Sequence, residues 1–267
     1  MSPDPSSAYT RADGGALRAT ALTRGPWHPE HQHAGPPSAL VCRAIEQAAA
    51  AAGLTHLGRL TGNLLRPVPV GECRIEVSAD YVGRNAGHYS ARLLAHGKEV
   101  ARFTALMQRE EALPVPPGTP GHPLPLAPRA PADSAPCEMP FGGDGGYGRL
   151  IENRLAAGRF FDGPCAAWFR LRFPLVEGEW PSPYQRVAVA ADSGNGISAA
   201  LDMARYSFVN CDLSIHLLRR PVGEWICLDA RSALGGNGCG LAEAALYDEA
   251  GLIGRAVQSL AVRPRGE

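Results

Sequence analysis

Asn210, Asp212, Ser214 and His216 alternate with Cys211, Leu213, Ile215 and Leu217, so a strand through them turns four polar side chains to one face and four apolar ones to the other. The apolar face must be core, which leaves the polar face as either a solvated surface or the lining of a groove. Amide, carboxylate, hydroxyl and imidazole together can bind a water molecule and move its proton. The residues alone leave that choice open for Asn210 and Asp212, with a solvent-facing strand the simpler reading, and His216, farther along, reads as structural. Gln258 lies among apolar neighbours, Ala256 and Leu260, on one face of a late strand, where a buried amide needs partners. It is either a partnered core glutamine or part of a site. Asp192 stands just before Ser193-Gly194-Asn195-Gly196, where its simplest role is to cap the helix predicted over Ile197–Tyr206.

Other suggestive patterns carry less. His28, His31 and His33 share a proline-broken loop without the helical spacing of a metal pair or an accompanying carboxylate set, so no metal site is expected. His33, next to Gly35, remains a candidate groove residue. Asp192-Ser193-Gly194 lacks the GxSxG elbow of a serine nucleophile. Gly235-Gly236-Asn237-Gly238-Cys239-Gly240 lacks the Lys-Ser/Thr ending of a phosphate loop and joins two predicted strands, so it reads as a hairpin.

The elements that must position these residues occur twice. Leu65-Arg66-Pro67-Val68-Pro69-Val70-Gly71-Glu72 is echoed by Leu218-Arg219-Arg220-Pro221-Val222-Gly223-Glu224, and Gly97-Lys98-Glu99-Val100-Ala101-Arg102 by Gly251-Leu252-Ile253-Gly254-Arg255. Glu72 and Glu224 are 152 positions apart, Arg102 and Arg255 153, so the spacing is nearly constant across a run of strands. Two copies of one supersecondary unit follow. At that spacing Leu57 corresponds to Asn210 and Ala105 to Gln258, so only the second copy carries hydrogen-bonding side chains there. One site per chain is expected.

Composition sets the frame. At 267 residues and 45% hydrophobic content the chain can bury a large core as one large or two fused small domains. Lys+Arg and Asp+Glu number 26 each, so no net field draws nucleic-acid phosphates or an anionic membrane. Seven scattered cysteines, none spaced as CxxC, argue against a disulfide framework or zinc and fit a reducing cytoplasm. Met1–Gly15 has no apolar segment and reads as a disordered lead-in, neither a signal peptide nor a membrane anchor.

In the first copy a short strand (16–22) and a Pro/Gly-rich loop (25–37) precede a helix from about Pro37 to Ala52, stopped by Gly53. Strands are predicted at His56–Leu65, Cys73–Val82, His88–Leu94 and Glu99–Gln108. Residues 112–140 are proline-dense and form an extended linker. The second copy offers strand-like Cys165–Leu175 and Val187–Ala191, the helix at 197–206, and strands at Phe208–Leu218, Trp225–Ser232, Leu241–Asp248 and Ile253–Val262.

With these segments in order, the chain resembles the double-hotdog acyl-CoA thioesterases, the TesB-like type. The matching stretches are His33-Ala34-Gly35-Pro36-Pro37-Ser38-Ala39-Leu40, Leu64-Leu65-Arg66-Pro67, Val82-Gly83-Arg84, Ala190-Ala191-Asp192, Asn210 to Pro221 and Val257-Gln258. The resemblance implies an α+β fold with two antiparallel sheets, each wrapped around a central helix and fused in one chain. The units would be an N-terminal hotdog over 16–111 and a C-terminal one over 141–267. It also implies a water-activating triad of Asp, Thr or Ser, and Gln, falling by spacing on Asp192, Asn210 and Gln258, with an amide standing where the family has a hydroxyl. His33, Gly35, Ser38 and Asp212 would bind substrate, and the oxyanion donor would be the N–H of Gly35 or Ser38, because Pro36 and Pro37 have none. The implied partner is an acyl-CoA or acyl-carrier-protein thioester, with no metal or cofactor and with sheet edges open to homo-oligomer formation. Two alternatives stay open. One is a hotdog dehydratase, isomerase or cyclase using Asp212 with His33 or His216 as acid and base; the other is a non-catalytic acyl-binding protein.

Overall fold

The computed structural model describes residues 4–139 and 145–265. The first half builds β1 (Tyr9–Arg11), β2 (Leu17–Ala19), α1 (Gly35–Ala50), β3 (His56–Leu64), β4 (Glu72–Val82), β5 (Ala86–Ala95) and β6 (Lys98–Gln108). The second opens with β7 (Ala135–Cys137), α2 (Tyr147–Leu150), β8 (Ile151–Gly158), β9 (Cys165–Leu171), α3 (Pro183–Ala191) and α4 (Gly194–Ile197). It continues with β10 (Tyr206–Asn210), β11 (Asp212–Leu217), β12 (Ile226–Leu234), β13 (Cys239–Asp248) and β14 (Gly251–Pro264). Period-two patterning makes the strands one-sided. In β5, Tyr89, Ala91, Leu93 and Ala95 are buried while His88 and Arg92 face water.

The strands form one antiparallel sheet in the order β1-β2-β4-β5-β6-β3-β11-β14-β13-β12-β9-β8-β7, with β10 also pairing β14. About the β3–β11 seam this order is a palindrome, in which β6 matches β14, β5 matches β13, β4 matches β12, β2 matches β9 and β1 matches β8. At its centre Thr61 pairs with Ser214, its own counterpart 153 positions on, and their hydroxyls lie 3.2 Å apart. The two separate sheets expected from the sequence are therefore joined. Pairing β3 with β11 satisfies two edges that would otherwise be exposed.

Helix α1 packs on α3 and against β3, β4, β5 and β6, while α3 packs on β9, β11 and β12. One core runs through both halves, bringing Leu40, Ile45 and Phe103 together with Val187, Leu213 and Leu246. Among the described residues no helix is long and apolar enough to cross a membrane.

Three expectations need correction. The second helix lies at Pro183–Ala191, not at 197–206, and the predicted strand Val187–Ala191 is its last half. Its start is set by Ser182, whose hydroxyl accepts from the Gln185 N–H at 3.2 Å, and by Pro183 in the first turn. The expected disordered lead-in, Met1–Gly15, carries a strand within its described residues: Tyr9 is fully buried in β1, and its hydroxyl donates to Gln32 at 2.6 Å. The proline-rich stretch is held on the second half by Leu252 N–H donating to Pro125 O and Trp168 Nε1 to Arg129 O, and it ends in β7. Pro140 lies outside the described residues.

Candidate active site

A cavity of about 340 Å³ opens where the loop before α1, the α3–α4 turn and β10 meet. Gly35 makes this meeting possible. A Cβ on it would sit 2.3 Å from Val189 O, so only glycine lets the start of α1 press against the backbone of α3. That contact carries His33 to the C-terminal end of α3, where Asp192 is the residue after the last helical turn. Asp192 thus closes α3 rather than opening a helix.

Two groups converge on the Asp192 carboxylate, which is 5% exposed. Asn210 Nδ2 donates to Oδ1 at 2.7 Å, and His33 Nδ1 lies 3.0 Å from Oδ2. Gln258, 2% exposed, instead donates from Nε2 to the backbone O of Asp192 at 3.2 Å and accepts the Asn195 N–H on Oε1 at 3.0 Å. Its amide bridges the turn between α3 and α4 and does not line the cavity.

His33 Nδ1 is approached from two sides, because the Gly35 nitrogen is also 3.2 Å away. One ring nitrogen cannot both accept from Gly35 and face a carboxylate without a proton between them. We assign the proton to Nδ1, donated to Asp192, since the alternative sets lone pair against lone pair. The Gly35 N–H is then released from the imidazole. Burial lowers the His33 pKa against the opposing pull of Asp192.

Tyr147, which no sequence signal singled out, fixes the His33 ring. The two rings stack with centroids 3.7 Å apart and planes within 2°. The Tyr147 hydroxyl donates to Val189 O at 2.9 Å and meets Ser193 Oγ at 2.9 Å; burial raises its pKa well above the usual phenol range. Asn195 was also missed, although Gly194-Asn195-Gly196 marks a tight backbone turn.

Ser38 and Asp212 do not join the cluster. The Ser38 N–H and hydroxyl both go to Ala34 O, so of the two expected donors only the Gly35 N–H is turned toward the cluster, at His33 Nδ1. Asp212 accepts from the Ser259 N–H at 2.6 Å. Its side chain parts from Asn210 because the chain breaks phase at Cys211, between β10 and β11: Phe208 is buried before the break, and Leu213, Ile215 and Leu217 after it. The matching slip in β3 lies at Gly58, 153 positions earlier, between Leu57 and Arg59. Asn210 and Asp212 therefore do not share a face, and an acid–base pair of His33 with Asp212 is replaced by His33 with Asp192. His216 is exposed on β11, and His28 and His31 stack on each other at 4.3 Å.

The rest of the cavity is a largely apolar wall that includes Trp27, Val68, Met139, Phe161, Phe208 and Val209. A carboxylate, an amide and an imidazole at the end of such a wall suit a substrate with an oily tail and a polar reacting centre.

Two family models match the chain: the acyl-CoA thioesterase N-terminal domain over residues 23–108 and the acyl-CoA thioesterase C-terminal domain over residues 124–262. Among solved structures, a thioesterase candidate from Novosphingobium aromaticivorans is similar at 21% identity and a TM-score of 0.71, over 95% of this chain and 98% of that one. A thioesterase II candidate from Thermobifida fusca is similar at 15% identity and 0.73, over 97% and 96%. A hot dog fold protein from Alicyclobacillus acidocaldarius is similar at 17% identity and 0.68, over 98% and 97%. No curated protein matches the chain.

Proposed function

The chain belongs to the acyl-CoA thioesterase family, and from that premise we propose that it hydrolyses an acyl thioester at the Asp192 end of this cavity, within two fused hotdog units each built around its own helix. The units are residues 16–111 and 141–267, with β1 added to the first and residues 112–140 as the linker. The reading rests on one observation above all: Asp192, Asn210 and His33, brought from both halves, meet at 2.7 and 3.0 Å beside an apolar cavity.

Each Asp192 oxygen accepts one hydrogen bond and keeps a lone pair for water. Asn210 and His33 hold the carboxylate in place, and Gln258 holds the backbone that carries it. Water, deprotonated by Asp192, adds to the thioester carbonyl carbon, and the charge that develops on oxygen is met by the Gly35 N–H. Collapse of the tetrahedral adduct breaks the C–S bond. The proton on Asp192 passes to the departing thiolate, leaving a free acid and a thiol.

The test offers purified protein a panel of acyl-CoAs with thiol detection, beside Asp192→Asn. The variant keeps the site's shape but has no base, and kcat is expected to fall by about 10²–10⁴-fold. Equal rates in the two proteins would remove Asp192 from this role.

A further inference from the structure

Phe161 stands in the wall of the Asp192 cavity and also lines a second, open hollow of about 690 Å³, together with Ala199, Leu201 and Met203. The two spaces share one strip of chain. Asp192, Ser193, Asn195 and Gly196 line the first, and residues 199–203, the next stretch, line the second. Main-chain bonds fix Phe161 at the changeover: its N–H donates to Ile197 O at 3.2 Å, and the Gly163 N–H donates to Ala199 O at 3.1 Å. The residue therefore lies where the lining passes from one space to the other.

Its backbone is strained. Phe161 has a φ of 63°, a left-handed conformation that a bulky side chain rarely adopts, whereas glycines, Gly158 and Gly163, take the two neighbouring positions of that kind. Glycine would hold the same turn without strain, so the phenyl ring must offset it. Half-buried, the ring packs on the cluster of Ala199, Phe208, Leu260 and Val262, as do Leu201 and Met203 from the open hollow. Phe208 is also part of the first cavity's wall. An apolar surface thus continues from the cavity into the hollow, with the Phe161 ring standing on it.

We infer that Phe161 is the partition that ends the acyl site, so that this one ring sets the longest straight chain the cavity accepts. The inference rests on the proposed hydrolase reading for what fills the cavity, yet it concerns length alone and can be read by binding without turnover. Beyond the ring an oily tail gains Leu201 and Met203 but also meets the exposed Asp162 and Asp202, so withdrawing the ring should add room for only a few carbons.

Calorimetry with straight-chain methyl ketones, their alkyl chains running from propyl to undecyl, tests the assignment with a neutral carbonyl that cannot be hydrolysed. In wild-type protein affinity is expected to rise about fourfold per added methylene, the yield of burying one CH₂, and then to stop rising at a definite length. In F161G, where glycine also relieves the left-handed φ, the rise should continue for at least about two further methylenes. F161W, with a larger ring at the same place, should stop it earlier, and it carries the test if F161G lacks a native near-ultraviolet spectrum. The same stopping length in wild type and both variants, or no stopping length in wild type, would overturn the partition. So would a loss of affinity in F161G that is equal at every length, the mark of a residue that only supports the fold. Failure of the hydrolase reading would show separately, as a length limit for ketones in wild-type protein that releases no thiol from any acyl-CoA.

Discussion

Leu57 and Ala105 occupy in the first half the strand positions that Asn210 and Gln258 occupy in the second, and the helices beside them explain the difference. In the first half α1 runs unbroken for 16 residues, and both side chains are 1% exposed in packed core. In the second half the helical stretch is split into nine residues and four, with Asp192 and Ser193 between them. An unbroken helix satisfies its own interior backbone, so an alanine is enough beneath it. A broken one leaves Asp192 O and the Asn195 N–H without helical partners, and the Gln258 amide supplies both. The polar set is thus tied to the break, and the break also opens the cavity.

Planting the polar pair under the intact helix gives the hardest test of this contrast. Leu57→Asn with Ala105→Gln buries two amides where no orphan backbone awaits them, and is expected to lower unfolding free energy by about 3–5 kcal/mol in urea titration. A smaller loss than that of Gln258→Leu would break the comparison. Gln258→Leu should itself cost about 1–3 kcal/mol by leaving Asp192 O and Asn195 N–H unpaired. It should also lower kcat through the displaced carboxylate, and unchanged stability would separate Gln258 from the turn. The smallest effect concerns pH. His33 has a folded pKa below its ordinary 6.5, so as pH falls from 6.5 the unfolded chain takes up the proton first and stability declines until the folded value is passed. Above 6.5 the residue contributes no slope. Denaturant midpoints measured from pH 7.5 to 5 should flatten in His33→Gln relative to wild type.

The repeat and its strands were legible because period-two alternation and a constant spacing survive in the sequence; β3, β4, β5 and β6 fall within a few residues of their expected bounds. The second helix was not, because Val187-Ala188-Val189-Ala190-Ala191 carries no period and Asp192-Ser193-Gly194 resembles a helix start. The better signal was Ser182-Pro183 with Gln185 three residues after the cap. At the site, the repeat spacing singled out Asn210 and Gln258 and the family resemblance added Asp192, whereas the approach of His33 and Tyr147 depends on α1 crossing α3 at Gly35, a contact between segments more than 150 residues apart. The phase break at Cys211 hid for a simpler reason: unbroken alternation from 210 to 217 reads as one strand, and only the buried faces on either side reveal the extra residue.

The contact at Gly35 also bears on how this chain can change over time. Imidazole and amide N–H come from one repeat, carboxylate and both carboxamides from the other, so the duplicated halves have divided their labour and neither could be reduced to a spare. A drifting residue at Leu57 answers only to packing within its own half, whereas one at Gly35 answers to the backbone of Val189 on the opposite repeat.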